Sequence, residues 1–411
     1  MRSSDLQVFG VWLNEARVGT LYQKVDRTRF VLDPAYIEDP SRPVLGLTFE
    51  QNLHRAHSSQ LKLPEWFSNL LPEGRLRQWI AEDRGVSAQR EMELLAQVGH
   101  DLPGAVRVLP DDESPEEIAW EDYPGSQGTE MPEQGIRFSL AGVAMKFSML
   151  RRGDRLTMPA FGEGGDWIVK LPDAVYADVP RNEFTVMSLA AAIGIEIPEI
   201  QLMPREKFDG IPDHAWPGEE AYAFAIRRFD RDGGRNRIHI EDLAQVRNFY
   251  PYRKYEGNFE TIASLIYRGH DETALQEFVR RLAFSVMISN GDAHLKNWSL
   301  IYHDKKVPTL SPAYDLLCTS AYRFKETPED LGLRFGGSKA FHRVSLGTFR
   351  RLQVRLGIRN IDLPEIAAHV AKEVVDRWPD FADNINDNQR LQDAINDSIK
   401  MRLKTLLRSS S

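Results

Sequence analysis

A single cysteine, Cys318, in 411 residues excludes an internal disulfide and a thiolate-based zinc finger. Scarce cysteine is what a reducing cytosol favours. The opening residues, MRSSDLQVFG, lack the apolar stretch of a signal peptide. No hydrophobic run approaches the ~18 residues of a membrane span, so a soluble cytoplasmic protein is expected. Positive charge is not in excess either. A net charge of −8 argues against binding DNA through global electrostatics, leaving only local basic patches. Neither a Walker A G-x-x-x-x-G-K-[ST] nor a G-x-G-x-x-G loop occurs. What is present is an ordinary globular composition, 42% hydrophobic and 27% charged, on a chain long enough for two or three domains.

The N-terminal part, 1–108, reads as a small α+β unit. Leu6–Leu13 and Val18–Tyr22 alternate as short strands around a polar turn, and Phe30–Leu32 and Leu45–Phe49 could extend the sheet. Arg75–Arg84 and Glu91–Val98 have helical periodicity. From Pro110 to Gly135 there are nine acidic residues, four prolines and no lysine or arginine, the composition of a solvated connector, placed at 109–135. Strands follow at Ile136–Leu140, Met145–Leu150, Asp166–Leu171 and Ala221–Phe229, around a helix at Asn182–Ile193, giving a strand-rich lobe at 136–230. Residues 231–411 are mainly helical: Ile240–Asn248, Asn258–Tyr267, Thr273–Ser289, Pro364–Trp378 and Asn388–Leu407, interrupted by a hairpin at Trp298–Tyr302 and Val307–Leu310. The expected fold is α+β: a two-lobed protein-kinase-like architecture with an extra N-terminal α+β subdomain and a mainly helical C-terminal lobe.

The chemistry concentrates in Ser289-Asn-Gly-Asp-Ala-His-Leu-Lys-Asn297 and Ser311-Pro-Ala-Tyr-Asp315. Asp292 and Asn297 form a D-x-x-x-x-N array, with Asp315 a hairpin later, the spacing of a kinase catalytic loop and its metal-binding aspartate. Phosphoryl transfer needs a base, oxygen ligands for Mg²⁺ and cations on the phosphates. Asp292 is assigned as the base, Asn297 and Asp315 as hard oxygen ligands for Mg²⁺. Lys296 could neutralise the transferred group, and His294 could brace the loop. An isolated array of this kind is more often a hydrogen-bonded turn; Asp315 in sequence behind it moves the reading to chemistry. Lys170, ending the apolar run Trp167–Lys170, can reach phosphates, and Glu183 on the next helix can pair with it. Ser139-Leu-Ala-Gly-Val-Ala-Met-Lys146 can turn its backbone N–H groups toward phosphate, with Gly142 permitting close approach; by itself it is an ordinary hairpin turn.

These motifs resemble the HipA family, the kinase toxins of bacterial type II toxin–antitoxin operons. The resemblance is carried by Leu70-Leu-Pro-Glu-Gly74, Val98-Gly-His-Asp-Leu-Pro-Gly-Ala105, Ser139-Leu-Ala-Gly142 with Lys146, Ile168-Val-Lys-Leu-Pro172, Arg228-Phe-Asp-Arg231, Asn290–Asn297 and Pro312-Ala-Tyr-Asp315. It implies Asp292 as catalytic base, Asn297 and Asp315 on Mg²⁺, and Lys170 on ATP. It also implies a phosphate loop of Ala141, Gly142, Val143, Ala144, Met145 and Lys146, and a hinge at Arg227, Arg228 and Phe229. The catalytic-loop residues His294, Leu295, Lys296 and Asn297 fall in the implied ATP site. Ser139 takes the place of the family's autophosphorylated serine, whose modification expels the loop and switches the kinase off; a phosphoserine would compete with ATP for the same N–H donors. The implied partners are a HipB-like helix-turn-helix antitoxin, operator DNA contacted mainly through it, and a protein substrate, an aminoacyl-tRNA synthetase in known relatives. Two positions depart from the family: Arg227 stands for a glutamate and Ala144 for a glutamine. Two other readings share these features. One is a catalytically idle co-repressor, with the helix bearing Lys400, Arg402, Lys404 and Arg408 as its basic surface; the other is a small-molecule phosphotransferase.

Overall fold

The computed structural model describes residues 6–111, 145–160, 163–322 and 330–408. It opens with an antiparallel sheet of order β4-β3-β2-β1-β5, built from β1 (Leu6–Leu13), β2 (Ala16–Lys24), β3 (Arg27–Leu32), β4 (His57–Gln60) and β5 (Val106–Pro110). Asn14 turns β1 into β2 at φ 55°, a left-handed conformation that asparagine adopts more readily than most residues. Alternation then buries Phe9, Val11 and Leu13 on one face, against Phe30, Phe49, Trp66 and Phe67.

Leu45–Phe49 does not join this sheet. Leu47–Glu50 is a single helical turn, because the Leu47 N–H donates to Glu241 Oε1 at 3.0 Å and Phe49 is packed edge-on to Phe30 with centroids 5.4 Å apart. The added strand is β4 instead, whose polar HSSQ sequence has no apolar alternation to announce it. The helices Gly74–Arg84 and Glu91–Val98 form as the periodicity predicts, the first stopped by Gly85 at φ 64°.

A second sheet, of order β10-β7-β6-β8-β11-β9, comprises β6 (Lys146–Arg152), β7 (Arg155–Thr157), β8 (Trp167–Lys170), β9 (Ile200–Pro204), β10 (Phe208–Asp209) and β11 (Tyr222–Arg227). The Val179–Ala192 helix packs against β9 and β11. The remaining chain is a helical lobe whose core surrounds the buried Glu272–Met287 helix, joined by Phe259–Tyr267, Leu346–Leu356, Leu363–Arg377 and Gln389–Leu406. Embedded in it is a small sheet of β12 (His239–Asp242), β13 (Ser299–Tyr302) and β14 (Thr309–Leu310). The periodicity expected for one helix at Ile240–Asn248 is divided. His239–Asp242 pairs with β13, and Asp242 then caps a one-turn helix, Leu243–Val246, through a reciprocal box with Gln245 (2.8 and 2.9 Å). A two-stranded sheet of β15 (Asp330–Phe335) and β16 (Ser338–Ala340) completes the described residues. The whole is a two-lobed kinase-like α+β fold carrying an additional N-terminal unit.

Buried polar groups tie that unit to the lobes. Asp101 meets Arg228 at 3.0 Å and Arg231 at 2.9 Å, while Asp230 accepts the Gly104 N–H at 2.7 Å. Two sequence motifs more than 120 residues apart are thus halves of one ion network. Burial opposes ionisation of Asp101, yet Arg228 and Arg231 hold its carboxyl far below the usual range. Glu241, with no solvent exposure, accepts from Leu47 N–H, Trp66 Nε1 (3.3 Å) and the Tyr302 hydroxyl. No cation answers it among these contacts, and burial pushes its pKa from 4.5 to about 7. The folded chain therefore holds a proton that the unfolded chain releases. This contribution to stability is full below about pH 4.5 and lost as pH rises through about 7. Replacing the ionisable group by Glu241→Gln should make the variant gain on the native chain in urea unfolding between pH 6 and pH 8; a difference that does not move with pH would show that Glu241 does not titrate there.

Candidate active site

The roof of the site is set by strand register. Lys146 on β6 lies directly opposite Lys170 on β8, so both side chains emerge from the same face of the sheet. Lys170 Nζ reaches Glu183 Oε1 on the Val179–Ala192 helix at 2.6 Å and bonds the Asp315 carboxylate from the helical lobe. Burial would depress the Lys170 ammonium, but Asp315 and Glu183 outweigh it and keep it charged. Against its own burial, Asp315 is drawn down to about 2 by Lys170 and Lys146. Burial pushes Glu183 up to about 7, with Lys170 only partly offsetting it. Burial lowers the Lys146 ammonium too, and Lys170 adds to that while Asp315 opposes it.

The floor is the loop after the Glu272–Met287 helix. Ser289 leaves that helix at φ 53°, and Asp315 itself sits at φ 55°. Two non-glycine residues in the left-handed region flank the acidic loop, and such strain collects at functional sites. Asp292 N–H donates to Asn290 Oδ1 (3.0 Å), and Asn297 Nδ2 donates to the Asp292 carbonyl (2.8 Å). With Nδ2 committed, Oδ1 is the atom of Asn297 that can serve a cation. The Tyr255 hydroxyl donates to Asp292 Oδ1. His294 is buried with its Nε2 3.9 Å from Asp292 Oδ1, and among the described residues neither ring nitrogen has a hydrogen-bond partner. Burial, with Lys254 nearby, holds His294 neutral. An unsatisfied buried imidazole at a cleft wall is a group that a ligand could satisfy.

Between roof and floor lies a cleft of about 550 Å³, in the range of small-ligand sites. Lys146, Lys170, His294, Lys296, Asn297 and Asp315 line it together. At its far end are Arg227, Arg228 and Phe229, the last stacked on Tyr314 at 5.6 Å. The Arg227 and Arg228 N–H groups are engaged by the Glu199 and Asp166 carbonyls, and Arg227 faces solvent beside Glu199. Leu295 is fully buried in the helical core, and Met145 in the core beneath the second sheet. Ser139 and Ala141–Ala144 lie outside the described residues.

The front wall comes from the N-terminal unit, which the sequence did not place at the site. Glu73 reaches Lys254 Nζ at 2.8 Å and Lys296 Nζ at 3.5 Å. Lys296 is further held by the Asn69 carbonyl (2.8 Å), Asn69 Oδ1 (3.2 Å) and Asp242 (3.0 Å). Burial works against Glu73, but Lys296 and Lys254 draw it down to about 2. Of these residues Lys296 stood in the acidic loop and Glu73 inside Leu70-Leu-Pro-Glu-Gly74; Asn69, Asp242, Lys254 and Tyr255 carried no signal. Among the described residues no three His, Cys, Asp or Glu side chains converge on a metal position. Asp315 and the Asn297 amide oxygen are hard oxygen donors of the kind that could hold Mg²⁺, an ion that commonly keeps several waters and binds through few protein ligands.

Two lobes, a lysine bridged to a helix glutamate, and an acidic loop beneath define a protein-kinase-like site. Residues 9–109 match the HipA N-terminal domain and 138–378 the HipA-like C-terminal domain. The chain is 40% identical over 384 residues to "Putative kinase Y4dM" of Sinorhizobium fredii, covering 90% of each protein. It is 27% identical over 290 residues to "Serine/threonine-protein kinase toxin HipA" of Shewanella oneidensis, covering 62% of each. Its fold superposes with a TM-score of 0.74 at 19% identity on a chain of the Shewanella oneidensis HipA, HipB and operator DNA complex, covering 97% of this chain and 96% of that one. The chain belongs to the HipA family of kinase toxins. Lys170 is the pivot of the site, its side chain 16% exposed. Lys170→Met leaves Glu183 and Asp315 without their shared cation, and chemical unfolding at neutral pH should show a loss of about 3–5 kcal/mol. The deficit should shrink as the carboxylates protonate at lower pH; an unchanged stability would mean the bridge is not formed.

Proposed function

We propose that this chain is a Mg²⁺- and ATP-dependent serine/threonine protein kinase that arrests growth by phosphorylating a translation component, an aminoacyl-tRNA synthetase by analogy with the family. The observation that carries this reading is the Lys170–Glu183–Asp315 bridge, which joins sheet, helix and helical lobe above Asp292. In this reading the acceptor hydroxyl forms its bond to the γ-phosphorus and gives its proton to Asp292. The bond between that phosphorus and the β,γ-bridging oxygen breaks, and its electron pair leaves with ADP. Lys170 and Lys146 face the phosphates from the roof. Asn297 and Asp315 would hold Mg²⁺, which when bound would add to the neutralisation of phosphate charge. The hinge Arg227–Phe229 flanks the base of the nucleotide, and Ile168, Ile226 and Ile240 give the cleft apolar walls there.

The regulatory half of the reading rests on resemblance. A HipB-like antitoxin would neutralise the enzyme and carry it to operator DNA, in keeping with the complex formed by the structural relative. Autophosphorylation at Ser139 would switch it off. The working division is 1–108 for the N-terminal unit, 109–135 for the connector, 136–230 for the strand-rich lobe and 231–411 for the helical lobe, in the cytoplasm.

Asp292→Asn, with its fold verified by melting, should abolish phosphate transfer from ATP and any growth arrest on expression; full retained activity would overturn the kinase reading. Incubation of the active chain with Mg-ATP, followed by mass spectrometry, should find phosphate on Ser139. A peptide covering Ser139 that stays unmodified while the chain transfers phosphate elsewhere would reject self-inactivation at that position.

A further inference from the structure

We propose that Lys254 is the cation that meets the phosphoryl group in transit, that Glu73 of the N-terminal unit positions it, and that Lys296 is a tether and not a phosphate ligand. The proposal rests on the kinase reading above. It starts from how the two ammonium groups are satisfied. An ammonium has three N–H donors. Lys296 meets four acceptor atoms, the Asn69 carbonyl and Oδ1, Asp242 Oδ2 and Glu73 Oε1, at 2.8 to 3.5 Å. Its donors are consumed within the protein. In that arrangement it pins the catalytic loop to Asn69 of the N-terminal unit and to Asp242 at the end of β12.

Lys254 differs. Among the described residues its ammonium has one hydrogen-bond acceptor, Glu73 Oε2 at 2.8 Å. Two donors are left, on a side chain that lines the cleft and is 10% exposed. Its position is fixed from both sides. The Lys254 carbonyl accepts the Leu295 N–H at 3.0 Å, and the next residue, Tyr255, donates its hydroxyl to Asp292. Residues 254 and 255 therefore ride on the catalytic loop. One offers a hydrogen bond to the base, and the other, its neighbour in the chain, brings an ammonium to the cleft. Lys254 lines the same cleft as Lys146, Lys170 and His294. Because Tyr255 ties this segment to Asp292, the kinase reading puts Lys254 on the side of the cleft where the phosphoryl group passes to the acceptor hydroxyl. A cation there interacts with the third phosphate and not with the first two.

Binding of Mg-ADP and of the Mg-bound β,γ-imido analogue of ATP, measured by calorimetry, separates these roles. The native chain should prefer the triphosphate. Lys254→Met should lose about tenfold or more of triphosphate affinity, the scale of one charge-assisted hydrogen bond, with ADP affinity unchanged. Lys254→Arg should keep the preference. Lys254→Met also leaves Glu73 with one cation fewer, so the double variant Glu73→Gln/Lys254→Met is needed. It should retain the deficit, because the lost contact is to phosphate. Lys296→Met should lower the melting temperature but keep the triphosphate preference. Glu73→Gln should slow phosphate transfer from saturating radiolabelled ATP into the chain's own serines without weakening triphosphate binding. An unchanged preference in Lys254→Met, or its recovery in the double variant, overturns the role of Lys254. A preference lost in Lys296→Met overturns the tether, and an unchanged transfer rate in Glu73→Gln overturns positioning. A native chain that binds neither nucleotide fails at the kinase reading itself, before any of these comparisons.

Discussion

One ammonium group holds the catalytic architecture together. Lys170 ends a strand of the second sheet, and its Nζ is shared between Glu183 on the following helix and Asp315 from the helical lobe. A strand, the helix after it and a loop residue 145 positions beyond Lys170 meet at one charge, in surroundings where an unpaired ion costs several kcal/mol. Two carboxylates on one cation also divide the work. Asp315, close to Lys146 as well, stays ionised, while Glu183 is pushed up by its burial. The carboxylate proposed to hold Mg²⁺ is therefore the one kept charged, and the other serves to place the lysine.

The N-terminal unit is a wall of this site and not an appendage to it. Polar seams join it to the lobes. Asp101 with Arg228 and Arg231 fixes it beside the hinge, and Glu241 with Leu47 and Trp66 fixes it to the small sheet under the cleft. Glu73 with Lys254 and Lys296 brings it to the catalytic loop. Buried ion pairs of this kind add little net stability compared with apolar packing, but they disfavour any other docking geometry. A displaced N-terminal unit would leave Arg228, Arg231, Lys254 and Lys296 with fewer counter-charges. Its position and the order of the loop are thereby linked.

Much of this was legible in the residues. The strands Leu6–Leu13, Phe30–Leu32 and Trp167–Lys170 have local patterns that packing did not override, as do the helices Gly74–Arg84, Val179–Ala192 and Glu272–Met287. The two misread segments failed for one reason. Leu45–Phe49 and Ile240–Asn248 touch each other's neighbourhood through Glu241, and a bond between Leu47 and Glu241, 194 residues apart, leaves no trace in either local pattern. β4, a polar edge strand, carried no alternation to read.

For the site, the sequence alone supplied a candidate inventory, Lys170, Glu183, Asp292, Asn297 and Asp315, in kinase order. It could do so because those residues lie in short motifs whose internal spacing survives folding. Tertiary structure alone decided the company they keep. It put Lys146 opposite Lys170 through strand register, and Tyr255 on Asp292. It brought Glu73 across from another unit to hold Lys254 and Lys296. Lys296, which spacing offered as a phosphate ligand, is enclosed by acceptors, while Lys254, which no motif marked, lines the cleft with Glu73 as its one hydrogen-bond acceptor among the described residues. Which lysine is satisfied within the protein depends on distances between chain segments, and those exist only once the chain is packed.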